Sequence, residues 1–210
     1  MSKLAIVGAS GLVGRNLLEQ LQKREFKIDE IFLLGKKSAG SSINFLNKDC
    51  IIEDIDKFDF NKPDYAILSA GSDVARDYAN KFIEAGCKVI DMSSFFRYED
   101  DVPLIIPEIN GHIICKKTSL VANPNCSTAQ LLMILDHIHK EFSIESVMIT
   151  TFQAVSGAGE QGIKELENQS QSISAVSNIF SKTIAGNVIP QCDKFLDNGF
   201  TKEEMKLNWE

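Results

Sequence analysis

Long apolar runs are absent from this sequence: no stretch approaches the roughly 20 residues a helix needs to cross a bilayer, so no membrane-spanning helix is expected. Basic clustering is missing too. The net charge is −7 and the lysines and arginines are scattered without forming a stripe, which argues against general nucleic-acid binding. The five cysteines (50, 87, 115, 126 and 192) are odd in number and contain no C-x-x-C pair, so neither a disulfide framework nor a zinc site is indicated. The N-terminus opens directly into a strand pattern, where a signal peptide would need a charged leader and a cleavage site; a cytoplasmic location is expected. Internal repeats are absent as well. What is present is a globular composition, 210 residues at 44% hydrophobic, enough to bury a substantial core as one large domain or as one domain plus part of another.

The most informative stretch is Asn123-Pro124-Asn125-Cys126-Ser127-Thr128, where an apparent strand (119–122) gives way to an apolar helical run from Ala129 to about Glu141. A cysteine at a helix start has the positive end of the macrodipole behind it, which favours thiolate. Cys126 is therefore the candidate nucleophile. The competing reading, that a free cysteine is only a small buried hydrophobe, is weakened by the surrounding motifs.

The chain begins with a short buried-strand run (4–7), then Gly8-Ala9-Ser10-Gly11-Leu12-Val13-Gly14, then helical periodicity through Leu17, Leu18 and Leu21. Glycines in a strand-to-helix turn let the backbone approach a pyrophosphate, whose charge suits the helix N-terminus. The spacing is G-x-x-G-x-x-G, and a ligand-free tight turn is the alternative. After the second strand (31–34) come Gly35-Lys36-Lys37-Ser38-Ala39-Gly40. An NAD site usually carries an acid there, so two lysines and a serine favour NADP, unless they form only a solvated turn. Asp29 and Glu30 precede the strand and belong to its opposite end.

Further strands are expected at 65–69 and 88–91, with a helix over 74–85 between them. The alternation predicts a Rossmann-like parallel sheet with helices on both faces. Ser69-Ala70-Gly71, after a strand's carboxyl end, reads either as a wall of the cofactor cleft or as a plain turn. Arg97, in Ser93-Ser94-Phe95-Phe96-Arg97, reads as an oxyanion clamp or as a surface arginine. A strand is expected over 146–155, leading into Gln153-Ala154-Val155-Ser156-Gly157-Ala158-Gly159, a polar amide and glycine turn suited to a site wall. An amphipathic helix (160–169) and a polar, serine-rich connection (168–177), too poor in apolar residues to be core, follow.

These motifs, together with Pro107-Glu108-Ile109-Asn110, resemble aspartate-semialdehyde dehydrogenase, in the family's order and over all 210 residues. The resemblance implies an NADP-binding domain over 1–125 and part of an α+β catalytic and dimerisation domain over 126–210. It implies the NADPH-dependent conversion of L-4-aspartyl phosphate to L-aspartate 4-semialdehyde, on the route to diaminopimelate and lysine, threonine and methionine, in a homodimer or a tetramer of dimers. Cys126 would form a thioester with loss of phosphate. Gly8 and Ser10, Gly11, Leu12 and Val13 would hold the pyrophosphate, Lys37 and Ser38 the 2′-phosphate, Ser69, Ala70 and Gly71 the cleft wall, and Ser156 and Gly157 the nicotinamide side. Arg97 matches the phosphate-binding arginine, with Asn125 beside it, and Gln153 the glutamine that positions substrate. Glu203 and Lys206 match the pair that grips the substrate's ammonium and phosphate; by themselves they read as a charged helix face, with Thr201 and Glu204 forming a capping box.

Two departures stand out. Lys37 replaces the family's usual arginine, keeping the charge but not the planar fork, so NADP preference is expected to be weaker. Family members also continue past the position of Glu210, into a segment with a substrate-binding arginine, the acid–base histidine and a helix returning to the nucleotide domain. His137 and His139 lie about 16 to 20 Å from Cys126 along one unbroken helix at about 1.5 Å per residue, beyond the roughly 3 Å reach of a general base. His112 reads as structural. The expectations are therefore an incomplete dehydrogenase chain, or an NADP-binding chain or partner subunit with impaired turnover. N-acetyl-glutamyl-phosphate reductase is a minor alternative, since that family has glycine before its cysteine and tyrosine after it.

Overall fold

A computed structural model describes residues 2–171 and 177–210. Its first strand, β1 (Lys3–Val7), is buried along nearly its whole length, and side-chain alternation assigns each face to a different helix. Leu4 and Ile6, with Leu33 of β2 (Glu30–Gly35), pack on Leu17, Leu18 and Leu21 of α1 (Leu12–Lys23). Ala5 and Val7 join Phe32 and Leu34, and Ala66 and Leu68 of β5 (Tyr65–Leu68), against Ala75, Tyr78, Ala79 and Phe82 of α2 (Ser72–Glu84). Helices thus cover both faces of the sheet, as the alternating pattern requires.

The sheet has seven strands in the order β3-β4-β2-β1-β5-β6-β7, with β3 (Ser42–Phe45), β4 (Lys48–Asp54), β6 (Lys88–Asp91) and β7 (Leu120–Ala122) completing it. Every pairing is parallel except β3 with β4. That hairpin is not signalled by the sequence. Its two-residue turn is Leu46-Asn47, both at positive φ (51° and 61°), where the usual signal for such a turn is Asn-Gly or Asp-Gly. The sheet is accordingly mixed at one edge.

After the short helix α3 (Pro107–Asn110), helix α4 (Cys126–Phe142) follows β7, and the chain divides within it into two compact units, Met1–Ala129 and Gln130–Glu210. The second unit contains α5 (Gly159–Gln171) and α6 (Lys202–Trp209). The strand expected over 146–155 does not form. Residues 143–154 form no strand ladder among the described residues, and Val147, Met148 and Phe152 are exposed. Valine and threonine suit a pleated surface, but a strand exists only where a partner takes up its N–H and C=O groups.

The connection expected over 168–177 is corrected in part. Residues 168–171 continue α5, and Gln169 is buried; residues 172–176 lie outside the described residues. Polar side chains take the core role here. The buried Glu165 carboxylate accepts the N–H groups of Asn178 (2.9 Å), Ile179 (2.7 Å) and Phe180 (3.2 Å). The Gln169 amide oxygen accepts those of Ile184 (2.8 Å) and Ala185 (3.2 Å). Burial opposes ionisation of Glu165, but the three backbone donors outweigh it and hold its pKa below the usual value.

Glu165→Ala would leave those donors unsatisfied and should lower stability by about 1–3 kcal/mol, read as a urea-midpoint shift. Because the folded-state pKa is depressed, this stabilisation is present above the ordinary carboxylate range and is lost as pH falls through the folded pKa. Protection of the 178–180 amides from exchange, relative to their intrinsic rate at each pH, should therefore fall on acidification in the native chain, and already be low at neutral pH in the variant.

Candidate active site

In an open parallel sheet, ligands bind beyond the carboxyl ends of the strands where strand order reverses, here between β1 and β5. The turn after β1 is closely specified. Gly8 lies at φ +86°, and a Cβ there would stand 2.9 Å from Ala70 Cβ and 3.0 Å from Ala70 N. A Cβ at Gly14 would meet the Gly8 carbonyl oxygen at 2.3 Å. The Ser69 hydroxyl donates to the Val7 carbonyl (2.8 Å), tying the second turn to the first. Gly8, which leads into Ser10, Gly11, Leu12 and Val13, is thus brought beside Ser69 and Ala70, which lead into Gly71. Gly11 and Gly71 are the N-cap residues of helices α1 and α2, so neither helix has a side-chain cap. Their first-turn N–H groups are therefore left for a ligand or solvent, the arrangement an anion requires.

The lysines at the end of β2 differ from one another. Both are exposed, but Lys36 forms an ion pair with Asp56 (3.3 Å) and lies 5.4 Å from the centroid of the Tyr78 ring. Ser38 Oγ occupies the space beside Gly35, 2.4 Å from where a Cβ would stand. Asp29 and Glu30 are at the far end of the strand, Glu30 in register with Lys3 and ion-paired to it (3.4 Å).

Beyond β6, the buried Asp91 carboxylate accepts the Ser93 N–H (2.9 Å) and hydroxyl (2.8 Å), folding the turn that presents Arg97. Arg97 Nε donates to the Asn123 carbonyl (2.9 Å), and the Asn123 N–H donates to the Asp91 carbonyl (2.8 Å). Asn125, itself buried, accepts the Ser127 N–H on its side-chain oxygen (2.8 Å), the bond of an N-cap residue. Cys126 is the exposed first residue of α4, and Arg97 is attached three residues before it. The anchoring of Arg97 through Asn123 had no sequence signal, because the acceptor is a backbone carbonyl.

The second unit assembles its own cluster. Gln153 Nε2 donates to Glu203 (2.7 Å), and Lys206 Nζ donates to the other oxygen of Glu203 (2.6 Å). The side chains of Glu203 and Lys206 are only 12% and 13% exposed, which rules out a solvated helix face. The Thr201–Glu204 capping box is present. Two further members were not legible. Asp193 pairs with Lys206 (3.2 Å), and the Cys192 thiol donates to Gln153 Oε1 (3.0 Å). Burial would lower the Lys206 pKa, but Glu203 and Asp193 together raise it, so the ammonium persists. Gly157, in the tight turn Val155–Ala158 with Ser156, lies against Gln153: a Cβ there would be 3.5 Å from Oε1.

Residues 3–117 match the family model "Semialdehyde dehydrogenase, NAD binding domain" and residues 135–210 match "Semialdehyde dehydrogenase, dimerisation domain". An aspartate-semialdehyde dehydrogenase from Vibrio mimicus is 45% identical over 99% of this chain. The chain belongs to the aspartate-semialdehyde dehydrogenase family. It spans 68% of the Vibrio mimicus relative and 64% of aspartate-semialdehyde dehydrogenase 2 from Vibrio cholerae, also 45% identical. A crystal structure of aspartate semialdehyde dehydrogenase II from Vibrio cholerae, complexed with ASA, superposes with a TM-score of 0.97 at 44% identity, covering 100% of this chain and 64% of that one.

For a family whose name denotes redox chemistry at an aldehyde, the reactivity of each thiol matters. Burial pushes the Cys87 thiol up to about 12. The exposed Cys115 is instead shifted down, first by the Thr118 hydroxyl and then by the Lys117 and Thr118 N–H groups. Helix α4 runs unbroken from Cys126 to Phe142, the condition on which His137 and His139 are too distant to serve Cys126 as a base. No group of metal-ligating side chains occurs among the described residues, and no helix among them is long and apolar enough to cross a membrane. Brief alkylation followed by peptide mapping should label Cys126 and Cys115 in the folded chain and leave Cys87 intact until denaturant is added.

Proposed function

We propose that this chain is the NADP-binding domain (1–125) and part of the catalytic and dimerisation domain (126–210) of an enzyme that converts L-4-aspartyl phosphate to L-aspartate 4-semialdehyde, for lysine, threonine and methionine synthesis. The observation that carries the reading is Cys126, exposed at the start of α4, with Arg97 fixed to the backbone three residues earlier. The Cys126 thiolate attacks the acyl carbon; the bond to the phosphate oxygen breaks, phosphate leaves with the electron pair, and a thioester remains on sulfur. Arg97 binds the departing phosphate bidentately, and Asn125 lines the same pocket. Gln153 orients the acyl group, Glu203 takes the substrate ammonium, and Lys206 takes phosphate.

The glycine turn and uncapped N-termini of α1 and α2 fit a dinucleotide pyrophosphate. Gly8 and the residues 10–13 hold it, Ser69, Ala70 and Gly71 wall the cleft, Lys37 and Ser38 meet the 2′-phosphate, and Ser156 and Gly157 flank the nicotinamide. NADPH, when bound, supplies the hydride that reduces the acyl group. A homodimer in the cytoplasm follows from the same reading, supported by the match to a dimerisation domain and by the exposed Ile134, Ile138, Phe142 and Phe152.

A second reading, coenzyme binding with little turnover, is favoured by the distance of His137 and His139 from Cys126 along α4. The test is phosphate-dependent reduction of NADP⁺ by aspartate semialdehyde on the purified chain, beside Cys126→Ala. The expected result is NADPH binding within about twofold in both proteins, with any turnover confined to the native one. Turnover that survives Cys126→Ala would overturn the assignment of the nucleophile. NADPH binding and Cys126 alkylation without turnover would select the second reading.

A further inference from the structure

We propose that Asp56, held by the buried Tyr78 hydroxyl, is a specificity-determining residue of the coenzyme site: it neutralises Lys36 at the end of β2 and so tempers the preference for a 2′-phosphate. The inference rests on the cofactor-site reading above. Strands β4 and β2 are parallel with Asp54 opposite Gly35, so the chains leaving them emerge side by side. The short turn after β4 (Ile55–Lys57) is fixed by the Asp54 carboxylate, which accepts the Asp56 N–H (3.1 Å). That places Asp56 against Lys36 (3.3 Å), with its other oxygen accepting the Tyr78 hydroxyl.

Tyr78 is only 3% exposed, its ring packed in the core on the α2 face, so Asp56 is anchored from beneath. Its carboxyl is held below the usual range, first by the Tyr78 hydroxyl and then by Lys36; Lys36 in turn is raised by Tyr78 and Asp56. Asp77 and Lys81 also face this group, Lys81 lying 4.5 Å from the Tyr78 ring centroid. The Lys36–Asp56 pair is half exposed and contributes little to stability. Its consequence is for ligands. Of the two adjacent lysines, only Lys37 presents an uncompensated charge to a 2′-phosphate. A carboxylate here is also the acceptor that an unphosphorylated ribose 2′-hydroxyl uses. Both NADPH and NADH should therefore bind, with the phosphate favoured only moderately.

The experiment is equilibrium binding of NADPH and NADH to the full chain, followed by nicotinamide fluorescence, for the native protein and the variants Asp56→Asn, Tyr78→Phe, Lys36→Met, Lys37→Met and Asp56→Asn/Lys36→Met. Asp56→Asn should raise the NADPH:NADH affinity ratio roughly three- to tenfold, and the gain should shrink as ionic strength rises. Tyr78→Phe, which keeps the core ring, should move the ratio in the same direction by less. Lys36→Met, which leaves the Asp56 carboxylate unpaired, should lower the ratio by a comparable factor, and the double variant should return to within about twofold of the native ratio. An unchanged ratio in both Asp56→Asn and Tyr78→Phe overturns the proposal, as does a double variant that keeps the full gain of Asp56→Asn. Failure of the native chain to bind either coenzyme overturns the cofactor-site reading, and this inference with it.

Discussion

The carboxyl ends of β1 and β5 can meet as they do only because residue 8 carries no side chain. A Cβ there would overlap the backbone and side chain at Ala70, and one at Gly14 would drive α1 off the turn. The two strands straddle the point where sheet order reverses, so this close approach fixes the crevice in which two uncapped helix N-termini stand together. The residues that follow β2 and β4 depend on it as well, since β2 is registered on β1 and β4 on β2. The placement of Lys37, Ser38 and Asp56 is therefore inherited from a backbone contact made by glycine.

The two units solve the problem of burial differently. In Met1–Ala129 the core is apolar on both sheet faces, and charged groups stay at strand ends, where Lys3 pairs with Glu30 and Lys36 with Asp56. In Gln130–Glu210 the interior is organised by polar side chains that serve as backbone acceptors, Glu165 and Gln169 above all. Such groups are tolerated only when their bonds are complete. The Gln153–Glu203–Lys206–Asp193 cluster follows the same rule: each carboxylate oxygen that meets Lys206 also restrains where its ammonium points.

Local pattern was a good guide where a property belongs to a short segment. Strands β1, β2, β5, β6 and β7, the glycine turn, the cysteine at a helix start and the capping box at Thr201 all read directly, because each depends on residues within a few positions of one another. Residues 146–155 misled for a related reason. Their β-branched composition expresses suitability for a strand, not the presence of a partner. The β3–β4 hairpin escaped notice because Leu46 and Asn47 adopt positive φ without glycine, a cost the paired strands outweigh.

The sequence by itself determined the alternation of strand and helix, the family motifs and the identity of the groups available for chemistry, since these follow from side-chain type and spacing. Tertiary structure alone decided which of those groups are compensated. Lys36 and Lys37 are equivalent as neighbours in a chain and both are exposed, yet only Lys36 is paired with Asp56 and lies over the Tyr78 ring. Glu203 and Lys206 look like a solvated helix face until Gln153 and Asp193, 50 and 13 residues away from their partners, close over them. Charge becomes specific only through what folding brings within a few ångströms, because Coulomb energy and hydrogen bonding depend on spatial distance and burial, neither of which is written in adjacency along the chain.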